Sequence, residues 1–317
     1  MLGLDKMSNL AQRVIAGVLG AAILINAIYW SEYSFFLLFA FIMSFSLWEF
    51  YTLLEKAGYK PMKKYMMVFN GILLVFLFFT QVLAYYEHAH IWMQKIIIFL
   101  IRYLYAFISV GIFLAFIVKL YDKNDKQPFI NIALSILGLL YVVFPFSLFV
   151  FNSWLTIDIS LNGYAERDIT YQYQIPLGIL FCLWASDSGA YFVGRKFGKT
   201  KLFERISPKK SWEGFAGGMF FSQVVAFVLS IYFTSLAGWK WHVISAIIVI
   251  VGTYGDLVES MLKRSLDIKD SGSVIPGHGG FLDRFDGLLI AMPFVALFLS
   301  LFHGWVIFNN PHIINLP

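Results

Sequence analysis

Long apolar runs separated by short polar segments set the pattern of this chain. Nine runs stand out, at about 14–30, 34–54, 66–85, 96–118, 129–151, 175–194, 212–235, 241–260 and 287–308. Most hold the ~20 residues that a helix needs to cross the hydrocarbon layer of a bilayer, and the shorter ones stay within the workable range. Backbone groups in lipid must be satisfied inside their own segment, so these runs are expected to be helices. The pattern predicts an all-α fold, a polytopic transmembrane helical bundle of about nine spans.

Composition moves the picture the same way. The chain is 59% hydrophobic and only 14% charged, with a mean hydropathy of +0.73, whereas soluble domains carry roughly a quarter charged residues. The first run follows Lys6 and Arg13 but ends in Asn26-Ala27-Ile28-Tyr29-Trp30, which is no small-residue cleavage site, so it is expected to be a retained span. Cys182 is the sole cysteine, which excludes an internal disulfide and a cysteine-based metal site, and its expected role is a small buried hydrophobe.

Charge distribution predicts orientation. Of the 24 Lys and Arg residues, all but Lys95, Arg102, Arg167 and Lys240 lie before the first span or after the second, fourth, sixth and eighth. The excess of basic residues marks the cytoplasmic side, so the N-terminus is expected inside and the C-terminus outside. Its polar loops are then expected to face the cytoplasm, and the expected location is a cytoplasmic membrane, the inner membrane of a bacterium. The loops at 56–64 and 119–126 read as topological signals that also touch anionic lipid.

Polar chemistry is unevenly shared. Residues 1–174 form an N-terminal packing half of spans one to five plus an external loop, and residues 175–317 a C-terminal catalytic half of spans six to nine, within one integral bundle. The 152–174 segment is expected to be a solvated external loop. Only Glu49 and Arg102 interrupt the apolar spans of the first half, and structural and functional readings of Glu49 both stand.

The stretch from Gly255 to Asp286 concentrates the charge of the second half. Its spacing places Asp256, Ser260, Lys263 and Asp267 on one face of a helix, four, three and four residues apart. The Gly and Ser residues that follow, with Pro276, predict a loop that returns to the membrane at Leu282-Asp283-Arg284-Phe285-Asp286. Asp187 lies in mid-span, where an ionised group is functional by default with a cation as partner, a structural ion pair being the alternative. Ser207-Pro208 reads as the start of a helix, which would set Lys209 and Lys210 at its positive end and favour phosphate over a plain interfacial lysine pair. Gly214 and Gly218 predict close helix packing. The glycines around His278, including Gly279 and Gly280, suit an anion-binding nest. Carboxylates for a divalent ion, with basic and glycine groups for phosphate, favour Mg²⁺ over Zn²⁺.

These residues carry a family resemblance. The 27-residue run Ser260-x-Leu262-Lys263-Arg264-x4-Lys269-Asp270-x-Gly272-x2-Ile275-Pro276-x-His278-Gly279-Gly280-Phe281-x-Asp283-Arg284-Phe285-Asp286 resembles the signature of the phosphatidate cytidylyltransferases, or CDP-diacylglycerol synthases. The stretch around Asp187 and the Ser207-Pro208-Lys209-Lys210 loop are similar to that family as well, so the likeness covers about 184–287. Gly287 departs from it, since Ser is more usual there. The resemblance implies transfer of a cytidylyl group from CTP to phosphatidate, with Mg²⁺ as cofactor and pyrophosphate as second product. Asp256 and Asp283 are then expected to hold the metal with Asp187 completing a second site, and Lys263 and Arg264 to act beside them. Ser207, Lys209, Lys210, Ser260, Lys269, His278, Gly279, Gly280, Arg284 and Asp286 are expected to bind the substrates. CTP, phosphatidate and the bilayer are the implied partners, a homodimer is left open, and no nucleic acid is expected. A CTP-dependent polyprenol or phytol kinase is the alternative, and a secondary transporter a more distant one, since all the polar chemistry sits in one half.

Overall fold

The computed structural model describes residues 9–85, 91–161, 164–268 and 279–303. Ten helices carry the apolar runs: α1 (Asn9–Trp30), α2 (Glu32–Lys56), α3 (Lys63–Tyr85), α4 (Ile91–Leu120), α5 (Pro128–Gly138), α6 (Phe144–Phe151), α7 (Gln174–Phe197), α8 (Trp212–Tyr232), α9 (Gly238–Ser265) and α10 (Leu282–His303). Helices α5 and α6 form one continuous span through a π-helical turn, Leu139–Val143. Pro145 stands two residues beyond it, and its missing N–H together with its ring, which would crowd the Tyr141 carbonyl one turn back, explains why the helix widens there. Among the described residues, seven spans are long and apolar enough to cross a membrane. The apolar parts of α1 and α4 that are described, Val14–Trp30 and Ala106–Leu120, are shorter. Large apolar side chains such as Val68, Phe113, Phe220 and Leu301 are more than half exposed, as an outer surface against lipid requires.

Two β-hairpins correct the all-α expectation. The segment expected to be a solvated loop is a hairpin, β1 (Trp154–Leu161) against antiparallel β2 (Tyr164–Tyr171), with Trp154 opposite Tyr171. Its base belongs to the core: Trp154 is buried, and Tyr171 donates its hydroxyl to the Ile28 carbonyl at 2.7 Å. The second hairpin pairs β3 (Lys201–Phe203) with β4 (Ser207–Ser211). The helix expected to begin at Ser207 therefore begins four residues later. Pro208 is tolerated because each strand of a two-stranded sheet is an edge. The cap of α8 is Ser211, whose Oγ accepts from the Gly214 N–H at 3.1 Å.

Helices α7 to α10 pack on one another, and small residues set how closely. A Cβ added at Gly218 would meet the Ser186 carbonyl at 2.9 Å, and one added at Gly255 the Asp286 carbonyl at 2.6 Å. Helix α10 also joins the rest of the bundle. Phe285 lies with its ring 6.1 Å from Phe39 of α2 and 5.5 Å from Phe146 of α6.

Candidate active site

The close α9–α10 approach carries acidic groups inward from both helices. Asp256 and Glu259 are three residues apart on α9, one turn along the same face. Asp286 comes from the second turn of α10. Each offers a carboxylate oxygen, and the three oxygens lie within 4.8 Å of one another. Glu259 is 1% exposed, and its Oε1 has no hydrogen-bond partner among the described residues. A buried carboxylate oxygen left unsatisfied is costly unless something positive completes it. Three oxygen donors in this arrangement fit a hard divalent cation such as Mg²⁺.

Lysines hold the edges of this cluster. Lys263 donates to Glu259 Oε2 at 2.8 Å and to Asp283 Oδ1 at 2.9 Å. Lys210 pairs with Asp256 and also reaches the Thr253 carbonyl at 3.3 Å. It reaches there because β4 runs straight into the α8 cap, and because Glu213 in the first turn of α8 accepts the N–H groups of Lys199 and Thr200 at 3.1 Å each. The second hairpin is thereby pinned over the cluster.

Beside the cluster opens a cavity of ≈ 610 Å³, lined by α7, the second hairpin and the facing turns of α8, α9 and α10. That volume lies within the range of small-molecule sites. Arg195, Lys209, Lys210 and Arg284 line it together with Asp187, Asp256, Asp283 and Asp286, while Leu183, Ile248 and Phe215 supply an apolar part of the wall. Cations set against carboxylates in one chamber suit a substrate that is itself polyanionic and arrives with a metal ion.

The expected site residues sort unevenly in this geometry. Asp187, Lys209, Lys210, Asp256, Asp283, Arg284 and Asp286 come together around the cavity. Asp283 lies outside the trio whose oxygens gather within 4.8 Å, but its carboxylate interacts with that of Glu259, a member of the trio. Its two oxygens accept from Lys263 and, at 3.1 Å, from the Gly280 N–H. Ser207 faces Phe203 across the hairpin, Ser260 is half-buried on α9, and Arg264 is exposed in its last turn; none of these lines the cavity. Asp267 leaves the polar face on which it was expected, because α9 ends at Ser265 and Asp267 takes a left-handed φ of 53°. Gly279 has a φ of 82°, open to glycine at little cost. Lys269 and His278 lie outside the described residues.

Glu259 and Arg195 enter the site without having been singled out from the sequence. The signal for Glu259 was present, since it stands three residues after Asp256 and four before Lys263, the spacings that share a helix face. Arg195 counts in the sequence as a topological charge and as the last residue of the family-like stretch around Asp187, and the structure adds that it lines the cavity from the last turn of α7.

A polytopic helical membrane protein with a chamber lined by both basic and acidic side chains is thus defined by fold and site together. Over residues 11–302 the chain matches the cytidylyltransferase family, and it belongs to that family. The phosphatidate cytidylyltransferase of Bacillus subtilis (strain 168) is 32% identical over 306 residues, covering 93% of this chain and 100% of the relative. That of Haemophilus influenzae is 32% identical over 296 residues, covering 91% and 98%. That of Thermotoga maritima is 36% identical over 193 residues, covering 58% and 65%.

Proposed function

We propose that this protein transfers a cytidylyl group from CTP to phosphatidate, releasing pyrophosphate and leaving CDP-diacylglycerol in the membrane. Family membership and relatives of that name across almost the whole chain support the reaction. The observation that carries it in this molecule is the chamber where Lys209, Lys210, Arg195 and Arg284 meet the carboxylates of α7, α9 and α10. The same relatives favour nucleotidyl transfer over the kinase and transporter alternatives.

Chemically, a phosphate oxygen of phosphatidate attacks the α-phosphorus of CTP. A new P–O bond forms, the bond from the α-phosphorus to the bridging oxygen breaks, and pyrophosphate leaves with that electron pair. The phosphate monoester is already anionic at neutral pH, so the barrier lies in bringing two polyanions together rather than in removing a proton. Lys209, Lys210, Arg195 and Arg284 lower that repulsion by facing the phosphates from fixed elements. Lys263 holds Glu259 and Asp283 in place. Asp256, Glu259 and Asp286 would hold Mg²⁺, which would supply further charge screening when bound, and Asp187, which lines the same chamber, would serve a second cation. The wider arrangement belongs to the same proposal: nine spans, N-terminus inside, C-terminus outside, and a chamber opening to the cytoplasm where CTP is found. Residues 175–317 carry the chemistry within one bundle.

The test supplies purified protein with labelled CTP and Mg²⁺, and with either phosphatidate or a polyprenol. Labelled cytidine entering the lipid fraction only with phosphatidate is the expected result. Label transferred from the γ-phosphate to a polyprenol overturns the reading in favour of a kinase.

A further inference from the structure

The acidic chamber depends on where α10 begins, and α10 cannot cap itself. The residue before its first turn is Phe281, which has no side-chain acceptor for the free N–H groups of a helix start. Glu49, two turns before the end of α2, takes that role across 233 residues of sequence: its Oε2 accepts the Leu282 N–H at 3.0 Å. Around this contact Phe281 lies against Phe41 and Phe45 of α2, with ring centres 6.0 and 5.6 Å apart.

Glu49 is 4% exposed, and its Oε1 has no hydrogen-bond partner among the described residues. A buried carboxylate with one free oxygen is a costly way to fill space in an apolar helix. Its negative charge does suit the positive end of α10. The first two turns of α10 carry Asp283, Arg284 and Asp286, so a shift of the helix start moves all three relative to Asp256 and Glu259. Asp283 is coupled to the same start, because its Oδ2 accepts the Gly280 N–H while its Oδ1 accepts Lys263.

We infer that Glu49 is a positioning residue: from α2 it fixes the height and rotation of the first turns of α10, and so the geometry of the cluster made by Asp256, Glu259 and Asp286. The inference rests on the proposed metal-assisted reaction for its kinetic readout but not for its binding readout. Full-length protein carrying Glu49→Gln, Glu49→Ala or, as a control on the same helix, Glu55→Gln is compared with the unaltered chain. Three quantities are read: kcat per folded molecule, the Mg²⁺ concentration at half-maximal rate, and the rise in Tm caused by Mg²⁺ alone.

Glu49→Ala is expected to lower kcat by about 10-fold to 10²-fold, as small displacements remote from the chemistry do. It should raise the Mg²⁺ midpoint about 10-fold, the scale for loss of a group that orients metal ligands, and shrink the Mg²⁺-induced rise in Tm. Glu49→Gln keeps an acceptor for Leu282 and should fall between, while Glu55→Gln should match the unaltered chain. Where Glu49→Ala does not fold, Glu49→Gln is measured alone. Unchanged kcat and Mg²⁺ midpoint per folded molecule, whatever the yield of folded protein, would overturn the positioning role. Failure of the unaltered chain to make CDP-diacylglycerol would sink the proposed reaction instead, and the Mg²⁺-induced rise in Tm then still tests Glu49.

Discussion

At the scale of single residues, the two acidic positions of the first turns of α10 separate by what they touch. Asp286 converges on Asp256 and Glu259, whereas Asp283 meets Glu259 alone of these and is held there by Lys263 and the Gly280 N–H. Replacing Asp by Asn keeps the shape and removes the charge, so Asp256→Asn or Asp286→Asn should cut turnover at least ~10²-fold in a folded protein. Because both act on one cluster, the double variant should lose far less than the product of the single losses. Rates of CDP-lipid formation measured against Mg²⁺ concentration check this. Asp286→Asn should move the Mg²⁺ midpoint, and Asp283→Asn should lower the rate with little movement of it; the reverse assignment of the two would refute the geometry. Lys210 sits on Asp256 inside the chamber, while Lys60 donates to the Asn124 carbonyl at 3.0 Å in a distant loop. Lys210→Ala should therefore raise the KM for CTP more than Lys60→Ala, and equal effects in a steady-state assay would remove the phosphate role of Lys210.

At the scale of elements, the site exists because helices approach closely where glycine stands. A Cβ at Gly255 meets a backbone carbonyl of α10 at 2.6 Å, which no rotation of a side chain relieves. Gly255→Ala should separate α9 from α10, lower stability by about 1–3 kcal/mol, and reduce activity by more than that loss of folded protein explains. Thermal unfolding in detergent beside activity per folded molecule is the measurement; wild-type activity in Gly255→Ala would show that the cluster tolerates the separation. Another element is held by charge rather than by space. Lys119, at the end of α4, meets Asp122 at 2.9 Å and Asp125 at 2.6 Å in the turn that leads into α5. Burial pushes the Asp125 carboxyl up, but hydrogen bonds from Lys119, the Gln127 N–H and Asn131 outweigh it and hold its pKa at about 2. A folded value below the ordinary 3.8 stabilises the protein above that pH, and the contribution is lost as pH falls through about 2. Between pH 4 and 2 the Tm of Asp125→Asn should fall less steeply than that of the unaltered chain; parallel curves would show that the turn contributes nothing.

At the scale of the whole molecule, the proposed orientation makes one demand. A reporter fused near Lys201 should read as cytoplasmic and one after residue 317 as external, since CTP must reach the second hairpin. An external reading at Lys201 would close the chamber to its nucleotide. Over the described residues the apolar runs lie largely in helices, seven of them long and apolar enough to cross a membrane, and length and hydropathy were enough for that, because a membrane leaves the backbone no other partner. The charge-bearing residues of the C-terminal half were legible for a related reason: a carboxylate in an apolar run is too costly to be incidental. Hairpins β1–β2 and β3–β4 were not legible, since short polar segments between spans have no periodicity strong enough to name their structure, and Pro208 after Ser207 imitates a helix start. Pairing of the carboxylates was beyond the sequence too. Spacing along α9 aligns Asp256 with Glu259, but whether Asp283 or Asp286 joins them depends on the rotation of α10. The Gly255 contact and the distant cap from Glu49 set that rotation, and neither is local in sequence. The chain thus determines by itself which segments enter the membrane and which residues can do chemistry there, while the tertiary structure decides which of them meet, because that depends on helix rotation and on contacts between residues far apart in the chain.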